Sequence, residues 1–163
     1  ELDGFGLYPW AAGLYVEASG DVAWAREIYP WLADSVLTVI PPLVDRALGV
    51  IREDSSIWER HLWPAIGPEF AKRFAWTTVA IARGLRSAVG LARAAGRGGD
   101  GVFLASQVAL LARGLRERFV GPDGVLLGHL EAPAGQALDA SSVEAFCAGF
   151  LTAGGPAFAA FRG

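Results

Sequence analysis

Apolar residues recur along this chain at helical rather than alternating spacing, and glycine- or proline-rich joints cut the pattern into segments. Leu7 to Ala18 predicts a first helix, entered through Gly4-Phe5-Gly6. Ser19-Gly20-Asp21 closes it, and Asp21 is placed to cap the next helix, since an aspartate side chain can accept from the free N–H groups of a first turn. Val22 to Arg52 is helical in pattern, with Leu32, Val36, Val39, Leu43, Ala47 and Val50 in step. Pro41-Pro42 must kink or break it, because proline removes a donor and clashes with the preceding turn. Glu53 to Pro68 reads as a long joint. Glu69 to Ala95 gives the clearest stripe: Phe70, Phe74, Ile81, Leu85, Ala88 and Ala92. Gly96 to Gly101 ends it, and Val102 to Phe119 predicts another helix. Gly121-Pro122-Asp123-Gly124 signals a turn, and Val125 to Leu130 a short strand or extended loop. Asp139 is a candidate cap for a last helix, Ala140 to Thr152. Short links between helices imply antiparallel neighbours.

The expectation is therefore an all-α fold, and 163 residues suit a single domain, 1–163. The mean hydropathy of +0.35 sharpens it: many helices are apolar on more than one face, as in a helix held between two layers or in part of a larger body. A membrane span is not expected, because the longest charge-free run, Ala145 to Phe161, is broken by Gly149, Gly154, Gly155 and Pro156. The chain opens at Glu1 and contains no Met, so a preceding part is expected. Its first residues show no basic region followed by an apolar core, hence no visible signal peptide; a cytoplasmic location is favoured, and secretion stays open because a signal would lie in the missing part.

A net charge of −3 with no basic stripe argues against a nucleic-acid partner. One cysteine, Cys147, and two histidines are too few for a recognisable metal site, and no cofactor is expected. Gly96 to Gly101 precedes a helix, yet lacks the strand and the Gly-Lys-Ser/Thr ending of a phosphate cradle; it reads as a joint. Candidate chemistry centres on Glu59, flanked by Trp58 with Ile57, Leu62 and Trp63 near in sequence. An apolar setting raises a carboxyl pKa and would let Glu59 hold a proton to donate. Spacing alone favours the plainer reading, a solvated glutamate paired with Arg60. His61 has no evident partner and reads as structural.

Three stretches, the second continued by the start of the following helix, resemble glycoside hydrolase family 15, the glucoamylase family. Leu2-Asp3-Gly4-Phe5-Gly6 is similar to its Gln-(Leu/Asn)-Asp-x-(Tyr/Phe)-Gly segment. Asp54-Ser55-Ser56-Ile57-Trp58-Glu59 is similar to its (Ser/Gly/Asp)-(Ile/Leu)-Trp-Glu loop, and Arg73-Phe74-Ala75-Trp76-Thr77-Thr78 to the His-Phe-Thr-Tyr-(Ser/Thr) start of the next helix. Leu138-Asp139-Ala140-Ser141 matches its Leu-Asp-Ala-Ser signature. The resemblance implies an (α/α)6 barrel, a six-hairpin toroid with two concentric rings of helices, present here only as a partial barrel.

It implies, further, an inverting exo-α-glucosidase acting on α-glucans or oligosaccharides. Glu59 would be the general acid. Asp3 would accept hydroxyls of the sugar at the cleavage point, although a helix N-terminal residue stabilised by the dipole explains Asp3 as well. Trp58 is favoured as a sugar platform, and Trp63 joins it as a candidate. Trp10 and Trp76 lie in helical patterns and are expected to pack in the core. Lys72 and Arg73 are expected on a solvated face, and the family's His and Tyr are replaced by Arg73 and Trp76. The catalytic base of the family is a glutamate far downstream, and neither Glu131 nor Glu144 lies in a matching motif. The chain alone is thus expected to be inactive. Two other readings remain: a non-catalytic glycan-binding or regulatory toroid, and a helical scaffold for a protein partner.

Overall fold

The computed structural model describes residues 2–54, 71–121, 124, 126–131 and 143–152. The protein is mostly helical, with one two-stranded sheet among the described residues. Helix α1 runs Gly4–Ser19 and α2 Val22–Leu32. A π-helical turn, Ala33–Leu37, and a 3-10 turn, Pro41–Leu43, lead to strands β1, Val44–Asp45, and β2, Val50–Ile51. Helices α3, Ala75–Ala94, and α4, Gly98–Arg118, follow, then the short α5, Glu144–Cys147. No helix among the described residues is long and apolar enough to cross a membrane.

Capping sets the hinge between α1 and α2. Gly20 takes the left-handed conformation, and its N–H donates to the Val16 carbonyl. The Asp21 side chain accepts from the Trp24 N–H at 2.8 Å, as its position before a helix predicts. The two helices fold back on each other, with the Tyr15 and Trp24 rings edge to face at 4.7 Å. From the middle of α2, Arg26 Nε donates to the Ala94 carbonyl at the C-terminus of α3, where a cation suits the helix dipole.

α1 and α3 lie side by side and run in the same direction. Asp3 meets Trp76, Gly6 meets Ala80 and Gly84, Trp10 meets Arg83, and Gly13 meets Ser87, so both numbers climb together. The crossing is close because it is glycine on glycine: a Cβ on Gly84 would strike the carbonyl of Gly6. α4 turns back from α3 through Ala95–Arg97 and packs along it. The core between them is aliphatic, with Ile81, Leu85, Leu91, Leu111 and Leu115 buried. Two hairpins result, α1/α2 and α3/α4, whose first members are parallel neighbours.

Several elements differ from the sequence reading. Residues 44–51 form a hairpin, not the end of a helix. The Asp45 carboxylate accepts from the Ala47 and Leu48 N–H groups at 3.1 Å each, and Gly49 adopts φ +71°. That turn chemistry outweighs the helical spacing of Ala47 and Val50. α3 begins at Ala75 because residues 72 and 74 are drawn into backbone pairs with residues 54 and 129. α4 begins at Gly98, four residues before the expected Val102, with Asp100 in its first turn where the dipole favours an acid. The last helix shrinks to Glu144–Cys147, stopped by Gly149 at φ +69°. The stretch expected to be extended, Val125–Leu130, is represented by residues 126–130, which pair with Val120 and Phe74.

Candidate functional site

Three extended stretches meet at the N-terminal end of α3. Asp54 and Lys72 exchange two backbone hydrogen bonds at 3.0 Å each, which closes the stem of segment 55–70. Phe74 pairs with His129, the Ala75 N–H donates to the Gly128 carbonyl at 2.9 Å, and the Leu130 N–H to the Arg73 carbonyl at 3.1 Å. The first turn of α3, whose N–H groups have no partner within the helix, thus receives one from the third stretch. The Thr78 hydroxyl accepts from the Ile51 N–H at 3.2 Å and donates to the Phe74 carbonyl at 3.1 Å.

Two buried carboxylates face this junction. Asp3 is 3% exposed, and its Oδ2 accepts from the Trp76 indole Nε1–H at 3.2 Å. The side chain makes no cap hydrogen bond to its own helix; it reaches across to α3. A carboxylate can accept about four hydrogen bonds, so this contact leaves acceptor capacity. Asp54 is 7% exposed; its Oδ2 accepts from the Leu2 N–H at 3.2 Å and from the Thr77 hydroxyl at 3.1 Å. Both carboxylates stand at helix N-termini, where the positive end of the dipole favours them.

Beside them is an ion cluster around Arg73. Its guanidinium pairs with Glu53 at 2.8 Å and Glu131 at 2.9 Å, with Asp45 at 3.9 Å. Its backbone N–H donates to Glu131 at 3.0 Å. Arg73 was expected on a solvated face; it is half-buried, because it fastens the third stretch to the stem. Burial alone would raise the Glu131 pKa, but the N–H groups and guanidinium that face it outweigh burial and hold it below the ordinary 4.5. The unfolded chain therefore binds more protons than the folded one over this range, so stability rises with pH. We expect the Glu131 contribution to be fully present above about pH 4.5 and lost as pH falls through the depressed value. Glu131→Gln should lower stability at neutral pH and flatten the acid limb of a urea-midpoint profile.

The side of α3 is occupied as well. Arg83 stacks over the Trp10 ring at 3.7 Å and pairs with Glu144, while Arg86 donates to the Ala148 carbonyl and lies over Phe150. Trp10 and Trp76 are half-buried rather than fully in the core, each spending its ring or N–H on a polar partner. At the opposite flank of α1, a hollow of about 360 Å³ is lined by Gly4, Phe5, Tyr8, Trp31, Ser35 and Val36.

Of the residues expected at the site, Asp3 is placed at the junction. Glu59, Trp58 and Trp63 lie outside the described residues, as do His61 and Asp139. Asp54, Trp76 and Thr77 were not expected there; each stands in a stretch that carries the resemblance, but only their pairing across the fold marks them. The Gly96–Gly101 joint carries an acid at its helix start, where Asp100 pairs with Arg97 at 3.2 Å and accepts from Tyr29. Among the described residues, no group of three or more His, Cys, Asp or Glu could hold a metal ion. Compared with known proteins, the chain matches no family model, no curated protein and no solved structure.

Proposed function

We propose that the chain is part of a glycoside hydrolase of the glucoamylase type, an inverting exo-α-glucosidase acting on α-glucans or oligosaccharides. One observation carries this reading: Asp3, from the first resembling stretch, is paired with Trp76 from the stretch following the second, beside the stem from which Glu59 is reached. Glu59 follows Asp54 by five positions in the sequence. Parallel neighbouring helices, each leading a hairpin, are also the unit from which an (α/α)6 toroid is built; the chain would be a partial one.

In this reading Asp3 accepts sugar hydroxyls, Trp58 and Trp63 face the pyranose ring, and Glu59 protonates the leaving oxygen. A second carboxylate, about 6.5–9.5 Å from the acid, activates water on the opposite face. Glu131 and Glu144 are poor candidates for that base, because Arg73 and Arg83 already hold them. The second reading, a toroid that binds glycans without cleaving them, holds if the parent protein also lacks that second carboxylate.

Turnover of maltose, isomaltose and trehalose by the full-length gene product tests the proposal. We expect one of them to be hydrolysed, and Asp3→Asn to lower kcat/KM roughly ten- to hundredfold, the scale of a hydrogen bond to a charged group. Sugar binding without turnover would leave the second reading. Neither binding nor turnover would refute both.

A further inference from the structure

We propose that Asp54 is a positioning residue for Asp3. The proposal rests on Asp3 being a sugar contact. The Asp3 carbonyl accepts from the Gly6 and Leu7 N–H groups, while its side chain is buried and aimed across to α3. The Leu2 N–H, one residue before Asp3, donates to Asp54 Oδ2 at 3.2 Å. Asp54 is in turn fixed from two sides. Its backbone pairs with Lys72, and its carboxylate accepts from the fully buried Thr77 hydroxyl.

Thr77 follows Trp76 on α3, as Asp3 follows Leu2. Two adjacent residues of α3 therefore fasten the two residues just before α1: Trp76 takes Asp3 directly, and Thr77 takes Leu2 through Asp54. With a single contact the Asp3 side chain could swing about the indole N–H. With two, both the carboxylate and its backbone are fixed before any ligand arrives, which is what lowers the ordering cost of binding. Because Asp54 also closes the stem of segment 55–70, it sets Asp3 relative to that stem.

The test compares Leu2→Pro, Asp54→Ala and Asp54→Asn. Leu2→Pro removes the donor and leaves Asp54 and Thr77 in place, with Leu2→Ala, which keeps the N–H, as the control for the lost packing of the Leu2 side chain, so the pair reads the tie even if Asp54→Ala fails to fold. The Trp76 indole Nε1–H resonance, followed by NMR, reports the position of Asp3 without any sugar. Steady-state hydrolysis of maltose by the full-length gene product reports its consequence. We expect Leu2→Pro and Asp54→Ala to move the indole resonance. Both should raise KM roughly tenfold or more, with a smaller change in kcat. Asp54→Asn keeps an oxygen for Leu2 and should restore most of both. An indole resonance unmoved by Leu2→Pro would overturn the proposal, whether or not sugar is cleaved. So would a moved resonance with KM unchanged in an active protein. A moved resonance in a protein that neither binds nor cleaves sugar would keep the tie and reject the sugar reading.

Discussion

Gly84→Leu is expected to unfold the protein or leave it barely stable. A Cβ at Gly84 would overlap the Gly6 carbonyl, and a Cβ at Gly6 would overlap the carbonyl of Ala80. Both obstacles are backbone, so no side-chain rotation relieves them; α1 and α3 must separate. Separation opens the contact between α1 and α3 and draws Asp3 from Trp76. Overpacking usually costs about 1–3 kcal/mol and more where nothing can yield. Against a net stability on the order of 5–15 kcal/mol, a leucine here should exceed 4 kcal/mol and an alanine should cost about 2–3. Gly90 supplies the control on the same helix. Nothing lies within 4 Å of a Cβ placed there, so Gly90→Ala should stabilise by up to about 1 kcal/mol through helix propensity. Urea unfolding of the three variants reads the sign directly, and Gly84→Ala matching Gly90→Ala would show that the close crossing is not required.

Glu59→Gln is expected to have the largest effect on activity. A glutamine keeps the size and hydrogen-bonding reach of the side chain but has no proton to give. General acid catalysis contributes on the order of 10²–10⁴-fold, so kcat on maltooligosaccharides should fall by that factor. Sugar affinity should persist, because Asp3 and the tryptophans would supply it. A variant as active as wild type would remove Glu59 from the mechanism and leave the plainer reading, an exposed glutamate beside Arg60.

Helices were the legible part of this fold, and the reason is local. A stripe such as Ile81, Leu85, Ala88 and Ala92 needs only the period of one helix, and all four are buried. Asp21 was legible as a cap because its partner is three residues away. The hairpin at 44–51 was misread because Leu43, Ala47 and Val50 happen to fit a helical period, while the deciding features are a carboxylate turn and one positive φ. The start of α3 was placed too early because nothing near Ala71–Phe74 reveals pairing with Asp54 and His129, 18 and 55 residues distant from Lys72 and Phe74.

The site divides in the same way. Asp3 could be named from its motif, but not its burial or its indole partner 73 residues on. Trp76 looked like core because it lies in a helix; its N–H is what gives it a polar role. Arg73 looked solvated because the three carboxylates around it come from three separate stretches. Contacts closed over such distances leave no period or motif in the chain.

The most direct test of Glu59 as the general acid compares two leaving groups. Fluoride departs as a weak base and needs little proton assistance, whereas a sugar alkoxide needs a great deal. Hydrolysis of maltose and of α-glucosyl fluoride should be measured with the full-length wild type and with Glu59→Gln. If Glu59 is the acid, the variant loses maltose turnover by orders of magnitude and keeps most of its turnover of the fluoride. Equal losses on both substrates, or no loss on either, would contradict the account.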